Sequence, residues 1–260
     1  KIARTYEDVV FTKDANSRLF LAISDCIKYL RKTKKDLLAL DACGGSGQAA
    51  FIINELGCSA HLVDLSSEMI KNSMKHFKKN NIKIKTINSE INQFLKKNEI
   101  KYDLIVFSSA LHHLRHPDKI LISAMKNLSE GGLLLTISDP TQNIQKKSFK
   151  ILSIVDRAIN HFIKNPMTLF KITSNKISIL FGLKKIKPLN QGWLSEFHSR
   201  YGIDDDNLIS TLRENGNYVL KHKRYSAGYT YVFQKIYTIL RYKTSFLMVL
   251  SNKNSENFQS

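Results

Sequence analysis

The stretch that decides the fold is Leu38-Ala39-Leu40-Asp41-Ala42-Cys43-Gly44-Gly45-Ser46-Gly47-Gln48. Its apolar residues before Asp41 predict a buried strand. The glycines that follow let the backbone turn sharply and approach a ligand closely, because they carry no Cβ. A helix expected from 48 to 56 then points its first N–H groups back at the turn. The stretch therefore predicts a ligand cradle at the carboxyl end of a parallel strand.

Strands and helices alternate along the chain around this turn. The expected strands are 38–42, 60–64, 82–87, 102–107 and 133–138, and the expected helices are 16–30, 48–56, 66–79, 89–97 and 117–128. After residue 200 a further helix is expected from 204 to 214, followed by strands at 218–221 and 245–250. This alternation predicts an α/β protein with a parallel sheet and helices on both faces.

The positive charge of the chain is concentrated in its middle. Lys and Arg number 40 against 22 Asp and Glu, and residues 141–200 hold 11 basic and 2 acidic residues. Such a segment attracts nucleic acid, a membrane surface or a phosphorylated substrate; the alternative is an ordinary solvated surface. Cys26, Cys43 and Cys58 lack metal-ligand spacing and indicate free thiols. Free thiols are typical of a reducing compartment, so we expect a cytoplasmic protein. No apolar run is long enough to span a membrane.

Polar side chains end four of the predicted strands, and in a doubly wound sheet these ends face one crevice. They are Asp41, Asp64, the pair Ser89-Glu90 and the pair Ser108-Ser109. Asp64 follows the glycine turn by roughly twenty residues, the spacing of an acid that binds both ribose hydroxyls. Neither GxGxxG nor GxxxxGK(S/T) spacing occurs, which disfavours a nicotinamide site and a phosphate-binding loop.

Four segments within residues 37–140 resemble class I S-adenosylmethionine-dependent methyltransferases, especially the type 11 branch close to the ubiquinone/menaquinone methyltransferases. They are LLALDACGGSG, HLVDLSSEMI, KYDLIVFSSALHHL and LSEGGLLLTISDP. The resemblance implies a Rossmann-like, seven-stranded, mostly parallel sheet with a helical lid insertion. It also implies S-adenosyl-L-methionine as cofactor and S-adenosyl-L-homocysteine as product.

The resemblance assigns a set of residues to the cofactor: Asp41, Cys43, Gly44, Gly45, Gly47, Asp64, Leu65, Ser89, Glu90 and Ser108. The turn would pack against the methionine and ribose parts, with Asp41 orienting the amino-acid end and Asp64 binding the ribose. Either Ser89 or Glu90 would contact adenine, and Ser108 would lie near the sulfonium. Cys43 departs from the family pattern, which has its first glycine there.

Histidines supply the candidates for a general base. Methyl transfer is an in-line displacement, so the protein mainly aligns the acceptor. A hydroxyl acceptor also needs a base, and imidazole suits that role near neutral pH. The candidates are His112 and His113 after the fourth strand and His198 at the end of the insertion; the alternative for each is packing of the loop or lid. We assign no metal site, because helix capping explains the three acids at 204–206.

The chain divides into a cofactor-binding core with an N-terminal helix (1–140), a basic helical lid or substrate cap (141–200), a return to the core (201–251) and a tail (252–260). In the lid, one helical face is expected to carry Ile151, Ile154, Val155, Ala158 and Phe162. Five residues either line an apolar acceptor pocket or form the lid's own core: Phe149, Phe162, Met167, Phe170 and Phe181. The tyrosine-rich insert 224–243 is expected to contain a helix that packs on the lid, the acceptor or a second subunit.

These features predict methyl transfer to a small-molecule acceptor, by O-methylation of a sugar, lipid-linked or natural-product hydroxyl. The basic lid suits an anionic acceptor. One alternative is an RNA methyltransferase that uses the basic surface, and another is a non-catalytic scaffold with this fold. Peripheral membrane contact through 141–190 and a homodimer are further interpretations of the same features.

Overall fold

The computed structural model describes residues 13–164, 198, 201–254 and 258. A seven-stranded sheet forms its centre, with strand order β3-β2-β1-β4-β5-β7-β6. The strands are β1 (Leu38–Ala42), β2 (Ser59–Asp64), β3 (Lys85–Asn88), β4 (Tyr102–Ser108), β5 (Leu128–Pro140), β6 (Tyr218–Tyr225) and β7 (Ser245–Ser251). The helices are α1 (Lys13–Leu30), α2 (Gln48–Glu55), α3 (Ser67–Lys79), α4 (Ile91–Lys97), α5 (Pro117–Met125), α6 (Lys147–Lys164), α7 (Asp205–Glu214) and α8 (Tyr231–Ile239).

The sheet is mostly parallel, which confirms the predicted fold. Strands β1 to β5 pair in parallel, whereas β7 runs antiparallel to both of its neighbours, β5 and β6. Because β1 lies between β2 and β4, the strand order reverses beside the glycine turn. A crevice outside the carboxyl ends of the strands is expected at such a point of reversal.

Alternating strand residues bury both faces of the sheet. One core cluster joins side chains of α1, α2 and α3 to strand residues such as Ala39, Leu62 and Leu104. The other core cluster joins α4, α5 and α7 to the strand residues that directly follow those of the first cluster, such as Leu40 after Ala39 and Val63 after Leu62. This period of two is what parallel strands covered by helices on both sides require.

The boundaries of several elements differ from those expected. Strand β3 begins at Lys85, and β5 begins at Leu128, which pairs with Tyr102 across a bulge. Strand β6 continues to Tyr225 because it pairs with β7 along its whole length. The polar residues His222 to Arg224 lie beyond the expected end of this strand at Lys221, but charged side chains are common on edge strands.

The insertion after β5 contains the expected helix, α6, and the apolar face expected on it points outward. Ile151, Ile154 and Phe162 are 65%, 67% and 48% exposed, while Phe149 packs on Tyr237 of α8 with ring centroids 5.0 Å apart. Helix α8 is the helix expected in the tyrosine-rich insert, and its contact is with the lid helix. The remaining residues assigned to a lid core or acceptor pocket lie outside the described residues: Met167, Phe170 and Phe181. The division of the chain at 140, 200 and 251 stays a prediction.

Among the described helices, none combines the length and apolar character needed to cross a bilayer.

Candidate active site

The turn after β1 is built from residues in the left-handed backbone region. Cys43, Gly45 and Gly47 have φ angles of 56°, 53° and 80°. The N–H of Gly44 donates to the Val63 carbonyl over 3.1 Å, which ties the turn to β2. Left-handed backbone costs a side-chain-bearing residue about 1–2 kcal/mol. The backbone at Cys43 therefore favours glycine, which is the residue that the family pattern has at this position.

Asp41 lies buried beneath this turn. One carboxylate oxygen accepts the Ala50 N–H at 2.9 Å, and the other has no hydrogen-bond partner among the described residues. A Cβ on Gly44 would lie 2.5 Å from the Asp41 carboxyl carbon, so only glycine fits directly above it. Burial raises the pKa of Asp41 to about 7 despite the Ala50 hydrogen bond, and nearby Asp64 adds to the increase. A buried oxygen without a partner suits a cationic donor such as the ammonium group of the cofactor.

Asp64, at the end of β2, connects the turn to the next loop. Its two carboxylate oxygens accept the N–H groups of Gly45 and Ser66, each at 2.8 Å. Each oxygen keeps a second lone pair, so the carboxylate still has capacity for two ribose hydroxyls. The next side chain, Leu65, is 70% exposed and offers an apolar surface at the rim of the crevice.

Ser89 and Glu90 follow β3, on the side of the crevice where the family resemblance implies adenine. The Ser89 N–H donates to the Asp64 carbonyl over 3.1 Å, which fixes this loop beside β2. Glu90 caps helix α4, since its two oxygens accept the N–H groups of Asn92 and Gln93 at 2.9 and 2.7 Å. The Ser89 side chain does not cap α4, and its hydroxyl donates to the Glu90 carbonyl at 3.1 Å.

Ser108 ends β4 beside the reversal of strand order, where the sulfonium end of the cofactor is expected. The next residue, Ser109, has φ 54°, and its N–H donates to the Ile137 carbonyl at 2.8 Å. The chain therefore turns sharply at this point, out of the sheet and into the histidine loop.

Four acidic residues lie near enough to the thiol of Cys43 to raise its pKa. Burial raises the pKa of this thiol, and Asp64, Asp41, Glu90 and Asp139 raise it further, in that order. The acids come from the ends of four different parallel strands, or the loops that directly follow them. Their convergence produces a negative crevice, which suits a cofactor with a sulfonium and an ammonium group.

The histidine loop after β4 contains a histidine–carboxylate pair. His112 Nδ1 lies 2.8 Å from Asp139 Oδ1, and the same oxygen accepts the His112 backbone N–H at 3.1 Å. Asp139 is fully buried, and its second oxygen has no partner within the described part of the chain. A bulge at Ser138, with φ 69°, shifts the register of β5 just before Asp139. Bulges commonly redirect a side chain next to an active site.

The other two candidate histidines lie close to His112. The ring of His113 lies against that of His112, with centroids 4.0 Å apart, and is exposed. His198 donates its backbone N–H to the His112 carbonyl at 2.9 Å, and its buried Nε2 has no partner in the described residues. The structure thus places all three histidines close together, at the loop that follows β4.

Sequence reasoning missed Asp139, although it ends a predicted strand in the same way as Asp41 and Asp64. Its position in the stretch Ser138-Asp139-Pro140 was the available signal. Of the three acids at 204–206, only the first caps the helix as expected. Asp204 caps α7, and Asp205 and Asp206 both pair with Arg224 at 2.6 Å.

The sequence matches the methyltransferase domain family over residues 33–197. No curated protein shows significant sequence similarity to the chain. The fold resembles that of a methyltransferase from Clostridium acetobutylicum that depends on S-adenosylmethionine (12% identity, TM-score 0.58, covering 95% of this chain and 94% of that one). It also resembles magnesium protoporphyrin IX methyltransferase from Synechocystis with bound S-adenosylhomocysteine (12%, 0.55, 95% and 89%). A third similar structure is the 4+2 cyclase SpnF (9%, 0.58, 97% and 86%).

At these identities the solved structures establish the fold alone, and the cyclase illustrates that one fold serves different reactions. The family match rests on the sequence itself and spans more than half of the chain. The protein therefore belongs to the methyltransferase domain family and is an S-adenosylmethionine-dependent methyltransferase.

Proposed function

We propose that the enzyme methylates a hydroxyl oxygen of a small-molecule acceptor, with His112 as the general base. The observation that carries the proposal is the 2.8 Å contact between His112 Nδ1 and buried Asp139. A carboxylate in this position fixes the imidazole tautomer, leaves Nε2 as the acceptor and stabilises the imidazolium that forms. A methyltransferase acting on an already nucleophilic amine has less need of such a pair.

The roles of the chain's residues follow from their positions. When bound, S-adenosylmethionine supplies a methyl group that the acceptor oxygen takes in line as the carbon–sulfur bond breaks, the electron pair remaining on sulfur. Asp41 and Asp64 would hold the amino-acid and ribose ends, and the exposed side chain of Leu65 would lie against adenine. His112 Nε2 receives the hydroxyl proton, and Asp139 holds the resulting positive charge in place.

The acceptor class is part of the proposal. The lid helix α6 and its partner α8 follow β5 and precede β7, so they flank the end of the sheet that carries Asp139. Among the proteins of similar fold, one is named for a porphyrin acceptor. A sugar, lipid-linked or natural-product hydroxyl remains our interpretation for this chain.

The test uses labelled methyl transfer from S-adenosylmethionine into a metabolite extract, with the product structure determined by mass spectrometry and NMR. We expect an O-methyl product. His112→Ala should lower kcat by about 10²–10⁴-fold, with cofactor affinity unchanged and partial rescue by added imidazole. His76→Ala on α3 removes an imidazole outside the crevice and is the matched control. An N- or C-methylated product, or full turnover by His112→Ala, would show the proposal to be wrong.

One observation favours the RNA alternative. A groove of about 700 Å³ between α4 and α5 is lined by basic side chains: Lys96, Lys101, Arg115, Lys119 and Lys126. Its described lining contains no Phe, Tyr or Trp on which bases stack, and His116 is its one aromatic ring. RNA binding that weakens steeply with salt would support this alternative, and loss of binding in Lys96→Glu/Lys119→Glu would locate it in the groove.

A further inference from the structure

Helix α6 turns an apolar face to solvent. Six large apolar side chains on it are between 40% and 67% exposed: Ile151, Ile154, Val155, Ile159, Phe162 and Ile163. At 3.6 residues per turn they cover about half of the helix circumference. We call these six residues the α6 apolar face. Large contiguous patches of exposed apolar surface are rare on soluble proteins and usually mark a binding site.

The orientation of α6 is fixed by the hydrogen bonds of Asp156 to the segment that begins α8. Asp156 is fully buried and accepts the N–H groups of Tyr229 and Thr230 at 2.8 and 2.9 Å and the Thr230 hydroxyl at 2.8 Å. The Tyr237 hydroxyl donates to it at 3.3 Å. Turning the apolar face inward would break these hydrogen bonds and leave two backbone N–H groups unpaired, so the apolar face remains outside.

Positive charge borders the α6 apolar face. Residues 146–164 contain five Lys or Arg and one acid, and that acid is the buried Asp156. Lys150, Arg157 and His161 are exposed and follow helical spacing along one flank of the apolar face. The guanidinium of Arg157 also lies 5.3 Å from the ring centre of Tyr229, which is 44% exposed.

Helix α8 and its flanks have the same character. Residues 229–243 contain three basic residues and no acid. Tyr231 and Val232 are 65% and 62% exposed, and the Lys235 ammonium lies 4.6 Å from the ring centre of Tyr231. Exposed apolar side chains, tyrosine and cations together are typical of helices that lie in the interface of an anionic membrane.

We propose that the α6 apolar face and its basic flank dock on an anionic membrane surface, with α6 lying in the headgroup region. A second copy of the chain fits this surface poorly, because pairing the same faces brings the two basic flanks together. Nucleic acid fits it poorly because six apolar side chains have no role in phosphate binding. The inference does not depend on the acceptor or on the role of His112.

The test is flotation of the full chain with phosphatidylcholine vesicles, with and without phosphatidylserine. We expect binding to the anionic vesicles that weakens with salt. Ile151→Ser/Phe162→Ser removes apolar contact, and Lys150→Glu/Arg157→Glu reverses two charges. Each pair should lower partitioning by about tenfold or more, from the loss of apolar burial and of electrostatic attraction respectively.

Two matched controls keep the changes comparable. Leu21→Ser/Met74→Ser alters two side chains on α1 and α3 that are 59% and 52% exposed. Lys96→Glu/Lys119→Glu makes the same charge change in the groove between α4 and α5. Both controls should partition within about twofold of the wild type, since neither touches the docking surface. All variants should bind S-adenosylmethionine as the wild type does, which separates this test from that of the proposed function.

Four results would overturn the proposal. The first is absence of wild-type binding to anionic vesicles, and the second is an equal loss in the control variants. The third is a wild-type dimer without vesicles that Ile151→Ser/Phe162→Ser converts to monomer, which would assign the face to a second copy. The fourth is resistance of Ile151→Cys to alkylation in the absence of vesicles, which would show that another part of the chain covers the face.

Discussion

Replacing Asp41 by Asn should stabilise the protein at alkaline pH while weakening cofactor binding. Burial raises the pKa of this carboxyl from 3.8 to about 7, and Asp64 contributes to the increase. A shift of three pKa units corresponds to about 4 kcal/mol. The folded protein is destabilised by about this amount when Asp41 ionises.

The sign of the pH dependence follows from proton binding. In the unfolded chain the carboxyl ionises near its ordinary value of 3.8. Between that pH and about 7, the folded state holds a proton that the unfolded state has lost. The free energy of unfolding due to Asp41 therefore falls as pH rises through this window and is constant above it.

Asp41→Asn removes this titration but keeps an oxygen for the Ala50 N–H. Its unpaired amide costs about 1–3 kcal/mol, so the net gain in unfolding free energy at pH 8 should be about 1–3 kcal/mol. At pH 5 the gain should vanish. The same change removes the negative partner for the cofactor's ammonium group and should weaken S-adenosylmethionine binding by about tenfold or more.

The assay is urea unfolding of the wild type and Asp41→Asn between pH 5 and pH 8, with calorimetric titration of the cofactor. Asp36→Asn, at an exposed position, controls for the loss of one negative charge. The reasoning is refuted if the wild type gains stability relative to Asp41→Asn as pH rises. It is also refuted if Asp41→Asn binds the cofactor as tightly as the wild type.

Three further substitutions test the geometry. Gly44→Ala should lower the unfolding free energy by about 1–3 kcal/mol, because its Cβ would lie 2.5 Å from the Asp41 carboxyl carbon. Denaturant unfolding measures this free energy, and an unchanged midpoint would contradict the prediction. Cys43→Val should be less stable than Cys43→Gly by about 1–2 kcal/mol, because φ at this residue is 56°, in the left-handed region that favours glycine. Equal thermal midpoints of the two variants would contradict this prediction. Asp156→Ala should lower the unfolding free energy by about 2–4 kcal/mol, because it leaves two partly buried N–H groups unpaired, and hydrogen exchange at residues 229–231 should quicken. Unchanged protection there would count against the contact.

Local patterns were sufficient to predict the sheet and the meeting of its strand-end acids at one edge. Asp41 and Asp64 each close an apolar strand, and the topology of a parallel sheet places such ends together. The placement of Glu90 as a helix cap was within reach of the same reasoning, since an acid before a helix accepts its first N–H groups.

Contacts across long stretches of sequence were not predictable in this way. Asp139 meets His112 across 27 residues because of a bulge at Ser138, and no periodic pattern indicates that bulge. Asp156 accepts the backbone N–H of Thr230, the N-cap residue of α8, from 74 residues away. That contact determines which side of α6 packs on α8, and the periodicity of α6 alone indicates only which residues share a face.

The central claim is that the carboxylates at the ends of β1 and β2 hold S-adenosylmethionine, and calorimetric titration of Asp64→Ala tests it most directly. We expect one cofactor per wild-type chain, with affinity lowered by about tenfold or more in Asp64→Ala, because both the ribose acceptor and the tie to Gly45 are lost. Asp36→Ala should bind as the wild type does. Equal affinity in Asp64→Ala and the wild type, or no binding by the wild type, would contradict the claim.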